Sequence, residues 1–296
     1  MRSSRNSSRP KRDLDRSQTD DPKRNPGHCP NQLFVIGIGP GSWEHLTNRA
    51  VNVLSEVEVV AGYKTYIELI RPLIEDKKII STGMTQEVNR VEAAMETALG
   101  GKSCAIVSSG DPGIYAMAGL VFETCQSRDI PLVQPGCRNE APANQKALML
   151  EIIPGIPALA AGASLLGAPL THDFATISLS DLLTPWALIE KRLDAAAGAD
   201  FVIVLYNPKS KKRSWQLERA QQIILNYRRP DTPVGIVVGA MRQNQNIDIV
   251  PLNKLHEADV NMQTTVFIGN STSRRYLNFM YTPRGYSKKY RIGGDD

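Results

Sequence analysis

Short apolar runs that alternate with helix-length amphipathic stretches constrain this chain more than any other feature. Residues 33–36, 57–60, 78–81 and 104–107 each have the length and side chains of a buried strand. Between them, Ala50, Val51 and Leu54 follow a plausible N-cap at Thr47, and Tyr66, Ile67 and Ile70 run up to Pro72. Val88, Val91, Met95 and Ala98 form a third helical face, capped at Thr85 and stopped by Gly100 and Gly101. Tyr115, Ala118, Gly119 and Phe122 recur at helical spacing after the fourth run. Such strand–helix alternation predicts a mostly parallel sheet covered on both faces. Glu87 and Arg90 can reach the cleft, but as charges on a helix they are expected in solvent by default.

Open parallel sheets bind ligands at the carboxyl ends of their strands, so the turns there are the first places to look for chemistry. Ser109-Gly110-Asp111-Pro112-Gly113 leaves the fourth run and enters a helix. Asp111 either makes only that turn or stands at the mouth of a cleft facing a ligand. Gly37-Ile38-Gly39-Pro40-Gly41 leaves the first run and resembles the start of a dinucleotide site. The fingerprint is incomplete: Ser42 stands where its last glycine belongs, and Glu56 and Glu58 precede the second strand instead of following it. A nicotinamide-dependent dehydrogenase is therefore the weaker alternative.

The second half continues the alternation with tighter returns. Pro154-Gly155-Ile156-Pro157 opens a small-residue helix from Ala158 to Leu166, a suitable junction between two domains. Strands follow at 175–179, 201–206, 234–238, 247–250 and 264–268, with helices after Pro185 and around Ala220. The short connections after residue 235 predict antiparallel pairing and hence a mixed sheet. The expected fold is α/β with two domains, 31–153 and 154–286, and an active site in the cleft between them. Residues 126–150 exceed the usual connection, so an inserted loop or short helix is expected near 141–149. His172 beside Asp173 is a candidate acid/base group or a loop anchor. Lys209, Lys211, Lys212 and Arg213 meet an anionic substrate or form an exposed loop.

Charge excludes one class. The net +5 of the 296 residues comes from the ends: residues 1–30 hold eight Lys/Arg against four Asp/Glu, and residues 284–296 hold four against two. The body between them is near neutral, which argues against a nucleic-acid-binding protein. Residues 1–30 are expected to be a disordered basic leader and 287–296 a flexible tail. No apolar run is long enough to span a membrane, and the start lacks a secretion signal. Cys29, Cys104, Cys125 and Cys137 share no pair spacing, and His28, His45, His172 and His256 are scattered, so no protein-held metal or disulfide framework is expected. Cys104 reads as a small hydrophobe, and a reducing cytoplasmic setting fits.

Gly37 to Gly41, Ser109 to Gly113 and Pro154-Gly155-Ile156, in that order, resemble the tetrapyrrole methylases. Gly62-Tyr63-Lys64-Thr65-Tyr66, the run from Gly167-Ala168-Pro169-Leu170 to Thr184-Pro185-Trp186, Leu205-Tyr206-Asn207-Pro208, Gly269-Asn270-Ser271 and Thr282 to Tyr286 are similar to its branch that methylates C17 of a precorrin in cobalamin synthesis. The resemblance implies S-adenosyl-L-methionine as methyl donor, a tetrapyrrole substrate, contraction of the macrocycle and a homodimer. It places Pro40, Gly110, Asp111, Pro112, Ile114, Tyr206, Asn207, Ala240 and Thr265 around the cofactor, and Gly39 and Gly41 on the tetrapyrrole side. Lys209 and Arg213 are then candidates for substrate carboxylates. His172, Asp173 and Ser178 are candidates for proton transfer during contraction, His172 first. Pro157-Ala158 replaces the hydroxyl residues common after that junction, which removes a side-chain hydrogen bond there. Any cobalt belongs to the substrate. Another precorrin or cobalt-precorrin methylase of the same family is the nearest alternative.

Overall fold

A computed structural model describes residues 31–136, 146–210 and 213–290. Its first half runs β1 (Gln32–Gly37), α1 (Asn48–Glu56), β2 (Val59–Tyr63), α2 (Lys64–Leu69), β3 (Lys78–Thr82), α3 (Glu87–Leu99), β4 (Cys104–Ser108), α4 (Met117–Ser127), β5 (Leu132–Val133) and β6 (Leu148–Ile153). The second half runs α5 (Ala158–Leu166), β7 (Gly167–Ala168), β8 (Phe174–Ser178), α6 (Trp186–Gly198), β9 (Val202–Tyr206), α7 (Gln216–Leu225), β10 (Pro233–Val238), β11 (Asn246–Pro251), β12 (Thr264–Ile268), β13 (Arg274–Tyr276), β14 (Phe279–Tyr281) and α8 (Tyr286–Lys289).

Strand periodicity sends alternate residues to opposite faces, and in the first sheet both faces are dry. Leu33, Val35, Cys104 and Ile106 pack under α3 and α4, while Phe34, Ile36, Ala105 and Val107 pack under α1 and α2. Only a parallel sheet with helices on both sides buries such continuous runs. Its six strands, in the order β3-β2-β4-β1-β6-β5, are all parallel. The second sheet, β11-β10-β12-β9-β8, is mixed: β8 and β9 are parallel, and the other pairs antiparallel. Its outer face packs on α6 and α7 and its inner face on α5, where Gly162 leaves no room for a Cβ beside the Phe267 ring, 2.7 Å away. The α/β class with a parallel and a mixed sheet thus follows the expected pattern.

Several local expectations change. Thr47 does cap α1, accepting from the Ala50 N–H, but Thr85 does not cap α3: it sits at φ 64°, and Gln86 is the capping residue. Val88 in the first turn of α3 is exposed, and so are Tyr115 and Phe122, because α4 starts two residues after Tyr115 and buries Met117, Ala118, Val121 and Cys125 instead. Arg90, expected in solvent, is 3% exposed. Leu148 and Met149 begin β6 where a helix was expected, and residues 137–145 lie outside the described residues, as do 1–30 with His28 and Cys29. Beyond Asn270 the chain adds the hairpin β13–β14, which joins β7 in a small third sheet, and Tyr286–Lys289 is helical where a tail was expected from 287. Cys104 is fully buried, and that burial pushes its thiol up to about 12. Among the described residues no helix is long and apolar enough to cross a membrane.

Candidate active site

The three glycine-bearing turns of the sequence meet at one point. Gly39 and Gly110 exchange backbone hydrogen bonds of 3.2 and 2.7 Å, joining the loops that leave β1 and β4. A Cβ on Gly155 would lie 2.2 Å from the Gly110 carbonyl oxygen and 2.8 Å from Gly37, and one on Gly37 would lie 2.6 Å from both Gly110 O and Gly155 N. The carboxyl ends of β1, β4 and β6 therefore pack backbone on backbone, which only glycine permits.

Asp111 ties this junction together. Its Oδ1 accepts from Gly113 N (2.8 Å), closing the turn on itself, and its Oδ2 accepts from Gly155 N (3.2 Å), reaching the start of the second half. Asp111 therefore makes the turn and also holds the wall of the junction through Gly155. Pro112 is buried against Gly37, and Ile114 remains partly accessible at the rim.

The second sheet presents its carboxyl end through side chains. Tyr206 ends β9, and its hydroxyl accepts from Leu159 N (2.9 Å) at the start of α5. Burial pushes the Tyr206 phenol up to about 12, against the small opposing effect of the Leu159 N–H, so it stays neutral at physiological pH. Asn207, at φ 51°, turns its side chain back to donate to Ser178 Oγ at the end of β8 (2.9 Å). Ser178 Oγ also receives the Ser180 N–H at 3.3 Å, which leaves its own proton free to donate. Thr265, buried, pairs with Val237 near the end of β10, and Ala240 follows that strand after Gly239.

Two side chains not singled out by sequence bridge the sheets. Tyr115, left-handed at φ 52°, donates its hydroxyl to Thr176 O of β8 (2.9 Å) and packs its ring on Tyr206 at 5.2 Å between centroids. Arg242, from the loop after β10, donates Nε to Pro40 O (2.7 Å) and Nη2 to Ser109 Oγ (2.9 Å). Gly41 lies beneath it, where a Cβ would be 2.8 Å from Nε. Beside these, buried Arg90 donates to Thr82 Oγ1 (2.7 Å) and Gly83 O (3.1 Å) at the end of β3. The contacts of Tyr115 and Arg242 leave no pattern in the sequence, since their partners lie 61 to 202 residues away.

Not every candidate converges here. His172 and Asp173 precede β8 whereas Ser178 ends it, and the strand between them, Phe174–Ser178, is itself roughly 13 Å long at about 3.3 Å per residue. Instead they line a groove of about 460 Å³ with Asp200, Asn270, Arg274 and Arg284, at the amino ends of β8 and β9. There His172 Nδ1 accepts the Asp173 N–H, a local loop anchor. Arg213 is also turned inward: Nη1 donates to Leu179 O and Asn207 O, both at 3.0 Å, and Nε lies 4.0 Å from Asp181 Oδ1, so it braces the strand ends. Lys209 is exposed, and Lys211 and Lys212 lie outside the described residues.

Residues 32–256 match the family described as Tetrapyrrole (Corrin/Porphyrin) Methylases. The chain is 50% identical over 261 residues to a cobalt-factor III methyltransferase of Priestia megaterium, covering 88% of this chain and 46% of that one, so it spans about half that relative's length. It is 44% identical over 255 residues to a probable cobalt-factor III C(17)-methyltransferase of Salmonella typhimurium, covering 86% of this chain and 99% of the relative. Among solved structures, that of the methyltransferase CobJ superposes with a TM-score of 0.75 at 34% identity, covering 86% of this chain and 100% of that one.

Proposed function

This chain belongs to the tetrapyrrole (corrin/porphyrin) methylases, and we propose that it is an S-adenosyl-L-methionine-dependent methyltransferase acting at C17 of a precorrin-type macrocycle with contraction of the ring. The observation that carries the reading is the meeting of Gly37–Gly41, the Asp111 turn and the Pro154-Gly155 junction in one backbone-packed wall, opposite the Tyr206–Asn207–Ser178 end of the second sheet. The names of the Priestia and Salmonella relatives favour a cobalt-bearing substrate, cobalt-factor III. Residues 31–153 and 154–286 are then the two domains, each with its own sheet and apolar core.

The residues present fit the methyl donor. Tyr115 and Tyr206 offer aromatic faces, and Ile114, Ala240 and Thr265 add small apolar and hydroxyl surface, a combination suited to an adenosine and a sulfonium. S-adenosylmethionine supplies, when bound, a methyl carbon already made electrophilic by its sulfur. The protein's task is therefore orientation and exclusion of water. Asp111 holds the Gly113 and Gly155 backbone in place for the cofactor side, and Gly39 to Gly41 give the tetrapyrrole side a loop with no side chain but Pro40. Among the candidates for proton transfer, Ser178 has the supporting position: it stands at the carboxyl end of β8, its oxygen fixed by Asn207 and Ser180. Exposed Tyr276, Leu277 and Phe279 on the β13–β14 hairpin support a homodimer in which a second copy covers them. A cytoplasmic setting suits a biosynthetic enzyme of this kind.

Incubation with S-adenosylmethionine and either cobalt-factor III or precorrin-3B, followed by mass and absorption spectra, tests the reading. One added methyl with a shift to a contracted chromophore is expected, with cobalt-factor III the better substrate. Methylation without contraction would assign the chain to another branch of the family, and no methylation of either would overturn the proposal.

A further inference from the structure

Arg242 occupies an unusual position for a charge. Its loop is wound tightly: Gly239 and Met241 are both left-handed, at φ 55° and 58°, Arg242 N donates to Gly239 O, and Gln245 Oε1 accepts the Met241 N–H. The winding delivers the guanidinium from the second half of the chain onto two loops of the first, Pro40 and Ser109. Both partners are neutral. Among the described residues no carboxylate pairs with Arg242, and Nη1 makes no hydrogen bond. Burial pushes its pKa down, against an opposing effect of Tyr66, and its two hydrogen bonds to neutral groups leave the cation without a carboxylate partner among the described residues. An unpaired, partly desolvated guanidinium with a free edge suits a planar carboxylate. Its two neutral partners also specify where that carboxylate lies, because Pro40 stands between Gly39 and Gly41, the residues assigned to the tetrapyrrole side, and Ser109 opens the turn of Asp111.

We propose that Arg242 receives a carboxylate of the tetrapyrrole on Nη1 and, through Pro40 and Ser109, registers the macrocycle against the Asp111 turn. The inference rests on the reading of the chain as a tetrapyrrole methylase. It makes Arg242 a substrate-binding and positioning residue, in the place the sequence suggested for Arg213.

Wild type, Arg242→Lys and Arg242→Gln are titrated with cobalt-factor III by absorption and with S-adenosylhomocysteine by calorimetry, and turnover is measured for each. Loss of the charge-assisted bond in Arg242→Gln is expected to weaken tetrapyrrole binding roughly ten- to a hundredfold, with S-adenosylhomocysteine affinity held within about threefold. Arg242→Lys keeps the charge without the fork, so it should regain much of the lost binding while kcat stays depressed. Unchanged tetrapyrrole affinity in Arg242→Gln would overturn the proposal. So would parallel losses of both ligands with a lowered Tm, which describe a latch between loops and nothing more. Failure of the wild type itself to bind the tetrapyrrole would instead refute the functional reading beneath it.

Discussion

The carboxyl end of the first sheet is built from missing side chains, and that of the second from side chains that reach. In the first, Gly37, Gly110 and Gly155 let three loops touch through their backbones, Asp111 locks the junction from within, and Arg242 braces two of the loops from the second half. In the second, Tyr206, Asn207 and Ser178 hold the strand ends through hydroxyl and amide bonds to partners 29 to 47 residues away. A backbone wall tolerates no added atom, whereas a side-chain wall loses bonds one at a time. The amino end of β8 and β9, with His172 and Asp173, offers a third case, an exposed loop that neither wall depends on.

The largest effect should come from adding one carbon to the backbone wall. Gly155→Ala is expected to destabilise the fold by on the order of 3 kcal/mol or more, since both colliding groups are backbone and neither side can give way. Chemical denaturation checks it, with Gly119→Ala on the exposed face of α4 as the control. At Gly119 a Cβ meets nothing, and helix propensity should add roughly 0.5–1 kcal/mol of stability. Equal responses at the two glycines would break the contrast.

A smaller loss is expected at the lock. Asp111→Ala removes the acceptor of two N–H groups, of which that of Gly155 is partly buried, and should cost about 1–3 kcal/mol. The displaced Gly113 and Gly155 backbone should also weaken S-adenosylhomocysteine binding about tenfold or more, read by calorimetry. Lost stability with intact binding would confine Asp111 to the fold.

The smallest effect is expected far from both walls. His172→Gln, on the opposite end of the second sheet, should leave turnover and S-adenosylhomocysteine affinity within about twofold. A selective loss of ring contraction in that variant, with methylation retained, would return His172 to the chemistry and displace Ser178.

These differences track what was legible before any coordinates. The turns at Gly39 and Gly110 and the junction at Gly155 stand out in the sequence because a glycine directly after an apolar run breaks the strand and marks a turn. Their mutual contact did not stand out, because close backbone approach leaves no mark on the intervening 44 to 70 residues. Arg213 looked suited to an anion from its neighbours Lys209 to Lys212, yet Leu179 O and Asn207 O draw it inward. Arg90 looked solvated by rule, yet Thr82 and Gly83 enclose it at the end of β3.

The amino-acid sequence by itself determined the α/β class, the parallel-then-mixed pairing, the cap at Thr47 and the identity of the turns at the strand ends, because periodicity and loop length act over a few residues. Only the tertiary structure decided which side chains share a site. It separated His172 from Ser178 along one strand and brought Arg242 to Pro40 across 202 residues, because such meetings depend on how the sheets are set against each other, which no local pattern encodes.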